Sequence, residues 1–196
     1  MVALAQIPVR MSVEEFLNWD PEDGLRYQLV DGEPRAMAPA GTIHAFLKNE
    51  LGSLIGNHLR ERRSSCEVLA NPGIVPHVLS AHNVRIPDLA VTCAPLAAGQ
   101  TVLADPVLVV EILSPGNQAK TQAATGANVW AYTSIPGLTE ILVLRTDRIA
   151  AELLRRSPEG AWPERTSLIT AGDLVLESIG FRLPLSLLYA RIPSLK

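Results

Sequence analysis

Residues Val107 to Leu113 read Val-Leu-Val-Val-Glu-Ile-Leu, an aliphatic run broken by one carboxylate. A run of this kind has no polar side to turn toward water, so it predicts a strand buried on both faces. Such a strand needs a layer above it and a layer below it, which points to helices flanking a sheet. Glu111 is the anomaly inside it. Burying an unpaired carboxylate costs several kcal/mol, so the group must find a cation or give up its charge.

The rest of the chain supplies the flanking layers. Ser12, followed by Glu14 and Glu15 and then Phe16 and Leu17, predicts an N-capped short helix. Arg26–Val30 and Glu33–Ala38 predict a hairpin, joined by Asp31-Gly32, a dipeptide suited to a tight primed turn. Thr42 is expected to cap the longest helix, where Ile43, Phe46, Leu47, Leu51, Leu54, Ile55 and Leu59 recur at three- and four-residue spacing. Further strands are predicted at 66–70, 73–78, 85–93, 139–144, 149–154 and 174–179, with short helices at 123–132 and 185–189. A hairpin and long helix, then a mixed sheet with one crossover helix, describe an α/β fold.

At 196 residues and 47% hydrophobic, the chain suits one domain that needs no disulfide or structural metal, with residues 1–10 expected to be flexible. A net charge of −3 excludes a generally basic nucleic-acid coat but leaves room for a local basic groove. No run is long enough for a membrane span, and the first residues do not read as a secretion signal. Cys66 and Cys93 form no CxxC pair, and the expectation is two buried free thiols in a reducing cytoplasm. The aliphatic C-terminal strands and the short hairpin suggest a homodimer.

A second acid accompanies Glu111. Asp88 follows Ile86-Pro87 at the start of an apolar segment. If the two strands are neighbours, both carboxylates reach one cleft, where oxygen ligands suit a hard cation such as Mg²⁺ or Mn²⁺. Alternatively, Asp88 caps a strand end and Glu111 pairs with an arginine such as Arg85.

Ile86-Pro-Asp-Leu-Ala-Val91 followed by Asp105-Pro-Val-Leu-Val-Val-Glu-Ile-Leu-Ser-Pro115 resembles the Uma-type family of bacterial restriction-endonuclease-like proteins, in the PD-(D/E)xK nuclease superfamily. Met11–Leu17, Tyr27–Glu33, the helix beginning near His44, Trp130-Ala-Tyr132 and Ser178-Ile-Gly180 extend the resemblance over nearly the whole chain. It implies a restriction-endonuclease-like mixed β-sheet core flanked by helices, carrying a metal-dependent endonuclease site for DNA. Asp88 and Glu111 would hold the ion, with the Ile112 carbonyl as a further ligand, and His44 would either face the cleft or serve as a capping or structural residue at the helix start.

The resemblance also exposes departures. The superfamily lysine two positions after the Glu is Leu113 here, and the lysine that Uma-type relatives carry four residues before the tyrosine is Asn128. Gln28 stands where the family commonly has Glu. These neutral residues motivate a second reading, a nuclease-fold module that binds nucleic acid or protein without cutting. The chain has three lysines, Lys48, Lys120 and Lys196. Lys120, read as a loop lysine, either swings over the cleft as a substitute or is simply solvated, while Lys48 on the long helix is not expected to reach the cleft. Arg60, Arg62, Arg63, Arg145 and Arg148 are candidate phosphate contacts. His77 and His82 match no trusted metal spacing, His58 reads as a core or rim histidine, and Ser114 as a turn residue.

Overall fold

The computed structural model describes residues 10–113 and 118–195, the side chains of 118–124 excepted. Ser12 starts α1 (Val13–Leu17) with a capping box: its hydroxyl accepts from the Glu15 N–H at 3.2 Å, and the Glu15 carboxylate accepts from the Ser12 N–H at 2.7 Å. β1 (Tyr27–Val30) and β2 (Glu33–Ala36) form the hairpin, with Asp31 and Gly32 at φ 52° and 83°. Gly32 is required twice over, because a Cβ there would lie 2.6 Å from the Arg10 Cβ.

The long helix α2 (Thr42–Glu61) follows, and its N-cap is Gly41, one residue before the expected Thr42. Next come β3 (Glu67–Ala70), β4 (Leu89–Thr92), β5 (Pro106–Leu113), α3 (Gln118–Tyr132), β6 (Glu140–Arg145) and β7 (Ala151–Arg155). The chain closes with β8 (Ser167–Ile169), β9 (Asp173–Leu176), β10 (Phe181–Pro184) and α4 (Leu185–Tyr189).

Six strands make a mixed sheet in the order β3-β4-β5-β6-β7-β8, in which only β5 and β6 run parallel. The parallel pair follows from the α3 crossover between its strands. As the aliphatic run predicted, β5 is buried on both faces. Leu108, Val110 and Ile112 pack toward Leu47, Leu51, Ile55 and Leu59 of α2, while Val109 joins Tyr132, Ile135 and Ile141 on the α3 side. Full burial of such a side chain contributes about 2 kcal/mol, which fixes α2 over β4 and β5.

Several expectations change. Gly73–Val78 is not a strand; it makes isolated bridges, Gly73 with Val102 and Ile74 with Arg85. The crossover helix starts at Gln118 rather than Ala123, so Lys120 belongs to a helix and not a loop. Cys66 and Cys93 are joined by a disulfide instead of being free thiols. The cause is register: β3 pairs Glu67 with Thr92, so the next residues outward face each other. The inference from free thiols to a reducing compartment therefore lapses. Of the two features behind the homodimer expectation, the C-terminal strands keep Leu174, Leu176 and Phe181 buried against α2 and α4, while the hairpin β1–β2 remains a separate two-stranded sheet. The expectation for residues 1–10 falls outside the described residues except at Arg10. Among the described residues no helix is long and apolar enough to cross a membrane.

Candidate active site

Antiparallel pairing of Leu89 with Val110 makes Asp88 and Glu111 the next cross-strand neighbours, at the end of β5 that the chain reaches last. The two acids of the sequence thus meet through backbone register. Asp88 is fixed by the Ile112 N–H, which donates to its Oδ2 at 2.8 Å. His44 Nε2 approaches the same oxygen at 3.1 Å, and Lys48 Nζ lies 3.8 Å from Oδ1. His44 and Lys48 are four apart, so α2 presents both on one face. Lys48 also donates to Asn71 Oδ1 at 3.1 Å, and the Asn71 N–H donates to the Asp88 carbonyl at 3.1 Å.

Glu111 is approached from the opposite face of the sheet. The Tyr132 hydroxyl donates to Glu111 Oε1 at 2.9 Å, and Asn128 Nδ2 donates to the same oxygen at 3.3 Å. Asn128 and Tyr132 are again four apart, here on α3. Asn128 Nδ2 also lies 3.5 Å from Gln28 Oε1, which brings the hairpin into the cluster.

Burial pushes the Glu111 carboxyl up to about 8, and the neighbouring Asp88 charge adds to the rise; the donors Tyr132 and Asn128 and the charge of Arg85 only partly oppose it. Burial, followed by the Glu111 charge, raises the Tyr132 phenol well above its ordinary range. Arg85 does not form the anticipated ion pair with Glu111: it is buried, its Nε and Nη1 have no hydrogen-bond partner, and burial lowers its proton affinity. Among the described residues, Asp88 Oδ1 and Glu111 Oε2 accept no hydrogen bond. Two adjacent carboxylates, each with an oxygen to spare, fit a hard divalent cation, which commonly takes one or two protein carboxylates and completes its shell with water and phosphate.

Residues 13–186 match the Uma2 family, described as "Putative restriction endonuclease". This chain belongs to the Uma2 family. An uncharacterized protein of Synechocystis sp., slr1290, is 27% identical over 181 residues, covering 92% of each chain. The crystal structure of a putative nuclease of the DUF820 group from Anabaena variabilis superposes with a TM-score of 0.73 at 16% identity, over 92% of this chain and 98% of that one. That likeness shows a shared nuclease-type fold.

Within this Uma2 fold, Asp88, Glu111, Ile112, Asn128 and Gln28 all reach one cluster, and His44 faces it. Leu113 is buried. Lys120 lies two turns before Asn128 on α3, and its side chain, like Ser114 and Lys196, is outside the described residues. The expectation for Lys48 is reversed. It is not remote, because the buried stripe of α2 (Leu51, Ile55, Leu59) continues toward the N-terminus into Lys48 and His44, a spacing already visible in the sequence.

The arginines lie elsewhere or are engaged. Arg60, Arg62 and Arg63 close the far end of α2, roughly 24 Å along its axis from His44. Arg145 pairs with Glu152, and Arg148 pairs with Asp147. His82 Nδ1 meets the Met11 carbonyl, and His77 is exposed; no group of three His, Cys, Asp or Glu suited to a metal occurs among the described residues. His58 sits against Phe181 and the Ile179 carbonyl, as a rim histidine. Tyr132 as a Glu111 donor was missed, although its four-residue spacing from Asn128 was available.

Proposed function

We propose that this Uma2 protein is a metal-dependent endonuclease that hydrolyses DNA phosphodiester bonds, with Asp88, Glu111 and the Ile112 carbonyl holding Mg²⁺ or Mn²⁺. The observation that carries this reading is the meeting of Asp88 and Glu111 at the end of β4 and β5, each with one oxygen that accepts no hydrogen bond among the described residues. The description of the family as putative restriction endonucleases and of the Anabaena variabilis protein as a putative nuclease supports the same class of reaction. Such an ion supplies positive charge to the phosphate and acidifies a bound water.

The chain's own residues supply positioning. The Ile112 N–H holds Asp88, and Tyr132 and Asn128 hold Glu111, so neither carboxylate must be ordered when a substrate arrives. Asn128 and Gln28 add neutral hydrogen-bonding groups that orient a water but cannot take its proton. Titration calorimetry should show Mn²⁺ binding to the purified protein, together with metal-dependent cleavage of plasmid DNA. Asp88→Ala and Glu111→Ala should lose both. Wild-type protein with no affinity at millimolar Mn²⁺ would sink the reading.

The neutral Asn128–Gln28 pair favours a second reading, a fold that binds nucleic acid without cutting it. Cleavage by Asn128→Lys but not by wild-type protein would select this alternative.

A further inference from the structure

We infer that Lys48 is the catalytic cation of this site, contacting the scissile phosphate from the α2 side of the sheet; this rests on the hydrolytic reading above. Three observations meet at this side chain. First, its Nζ lies 3.8 Å from Asp88 Oδ1, close enough to share the ligand-bearing end of β4 but longer than a direct hydrogen bond. Second, its hydrogen bond goes to the neutral Asn71, which holds the ammonium without neutralising it. Third, the side chain remains 21% exposed and lines a groove of about 400 Å³ between α2 and the edge strand β3.

That groove gives Lys48 its substrate-facing side. Its lining includes Asn49 and Ser53 next to Lys48, Arg60 at its other end, and no carboxylate. Gly52 and Gly56 keep it open along the helix: a Cβ at Gly52 would meet Leu89 at 3.3 Å, and one at Gly56 would meet the Arg60 guanidinium at 3.3 Å. A phosphate diester lying in this groove meets cations and no acids in its lining, and Lys48 is the lining residue whose Nζ stands 3.8 Å from Asp88 Oδ1. In the hydrolysis, a water oxygen bonds to phosphorus and releases one proton to solvent, the ester P–O bond breaks with its electron pair going to the leaving oxygen, and that oxygen takes up a proton from solvent. The non-bridging oxygens gain negative charge on the way, and an ammonium already in place stabilises that charge without reorganisation.

Lys48 therefore takes from α2 the part that Leu113 and Asn128 cannot take from β5 and α3. The test compares wild-type protein with Lys48→Gln and Lys48→Arg, following Mn²⁺ calorimetry, thermal melting and the separate kcat and KM for plasmid cleavage. Lys48→Gln should keep its melting temperature and bind Mn²⁺ within a few-fold of wild type, yet lose about 100-fold or more in kcat. Lys48→Arg, whose charge is retained, should recover part of that loss. Wild-type cleavage with an unchanged kcat in Lys48→Gln would overturn the role of Lys48 and leave the nuclease reading standing. An equal loss in Lys48→Arg and Lys48→Gln, with both melting below wild type, would overturn it in favour of a structural part. Wild-type protein that cuts no DNA would remove the hydrolytic reading, and the role of Lys48 with it.

Discussion

Two glutamates sit buried in adjacent parallel strands and have opposite fates. Glu140, on β6 and 1% exposed, receives Arg155 Nε at 2.8 Å, the Glu177 and Ser178 N–H groups at 3.1 and 2.9 Å, and the Ser178 hydroxyl. Glu111, on β5 and 9% exposed, receives two neutral donors on one oxygen and faces the like charge of Asp88. Glu140 is a structural joint that ties the turn after β9 to the sheet. Glu111 is held in position with its charged form under-compensated, so it keeps its proton up to about pH 8. Burial alone does not mark a functional acid; the count and charge of its donors do.

Removing each acid should separate the two roles. Glu140→Ala takes the acceptor from the Arg155 Nε, the Ser178 hydroxyl and the Glu177 and Ser178 N–H groups, and should cost about 3 kcal/mol in urea unfolding while leaving Mn²⁺ affinity unchanged in whatever protein remains folded. A loss below about 1 kcal/mol would erase the distinction. Glu111→Gln should act in the other direction. The folded-state value of Glu111, about 8, lies above its ordinary 4.5, so the folded protein binds the proton more tightly and wild-type stability should fall as pH rises from about 4.5 to about 8. The glutamine variant lacks that slope, and should be more stable than wild type by up to about 5 kcal/mol at pH 8.5, with the gain vanishing near pH 4.5. Parallel stability profiles for the two proteins would contradict the under-compensated charge. Tyr132→Phe should have the smallest effect, a loss of about 1 kcal/mol, while moving the Glu111 titration further upward because a donor to the carboxylate is gone. Carbon-13 chemical shifts of the Glu111 carboxyl followed against pH would report that displacement.

The site was legible where it depends on local pattern and hidden where it depends on which segments meet. Glu111 stood out because an aliphatic strand should carry no acid, and Asp88 because it follows proline at a strand entrance. Glu140 passed unnoticed in an equally aliphatic strand, since its partners Arg155 and Ser178 come from distant positions. Lys48 is not expected at the cleft from its place on the long helix; only the packing of α2 against β4 brings it within 3.8 Å of Asp88. Cys66 and Cys93 are separated by 27 residues, and nothing local says that β3 and β4 place them opposite each other.

What the sequence determined by itself is therefore the set of elements: the doubly buried β5, the Asp31-Gly32 hairpin, the apolar stripe of α2 and two acids out of place. Periodicity and turn chemistry act within a few residues of backbone, so they can be read in order along the chain. Tertiary structure decided the pairings, namely the β4–β5 register that joins Asp88 to Glu111, the helix faces that add Lys48 and Tyr132, and the donors that separate Glu140 from Glu111. Those depend on packing between segments far apart in sequence, where a single step of strand register turns a side chain to the other face.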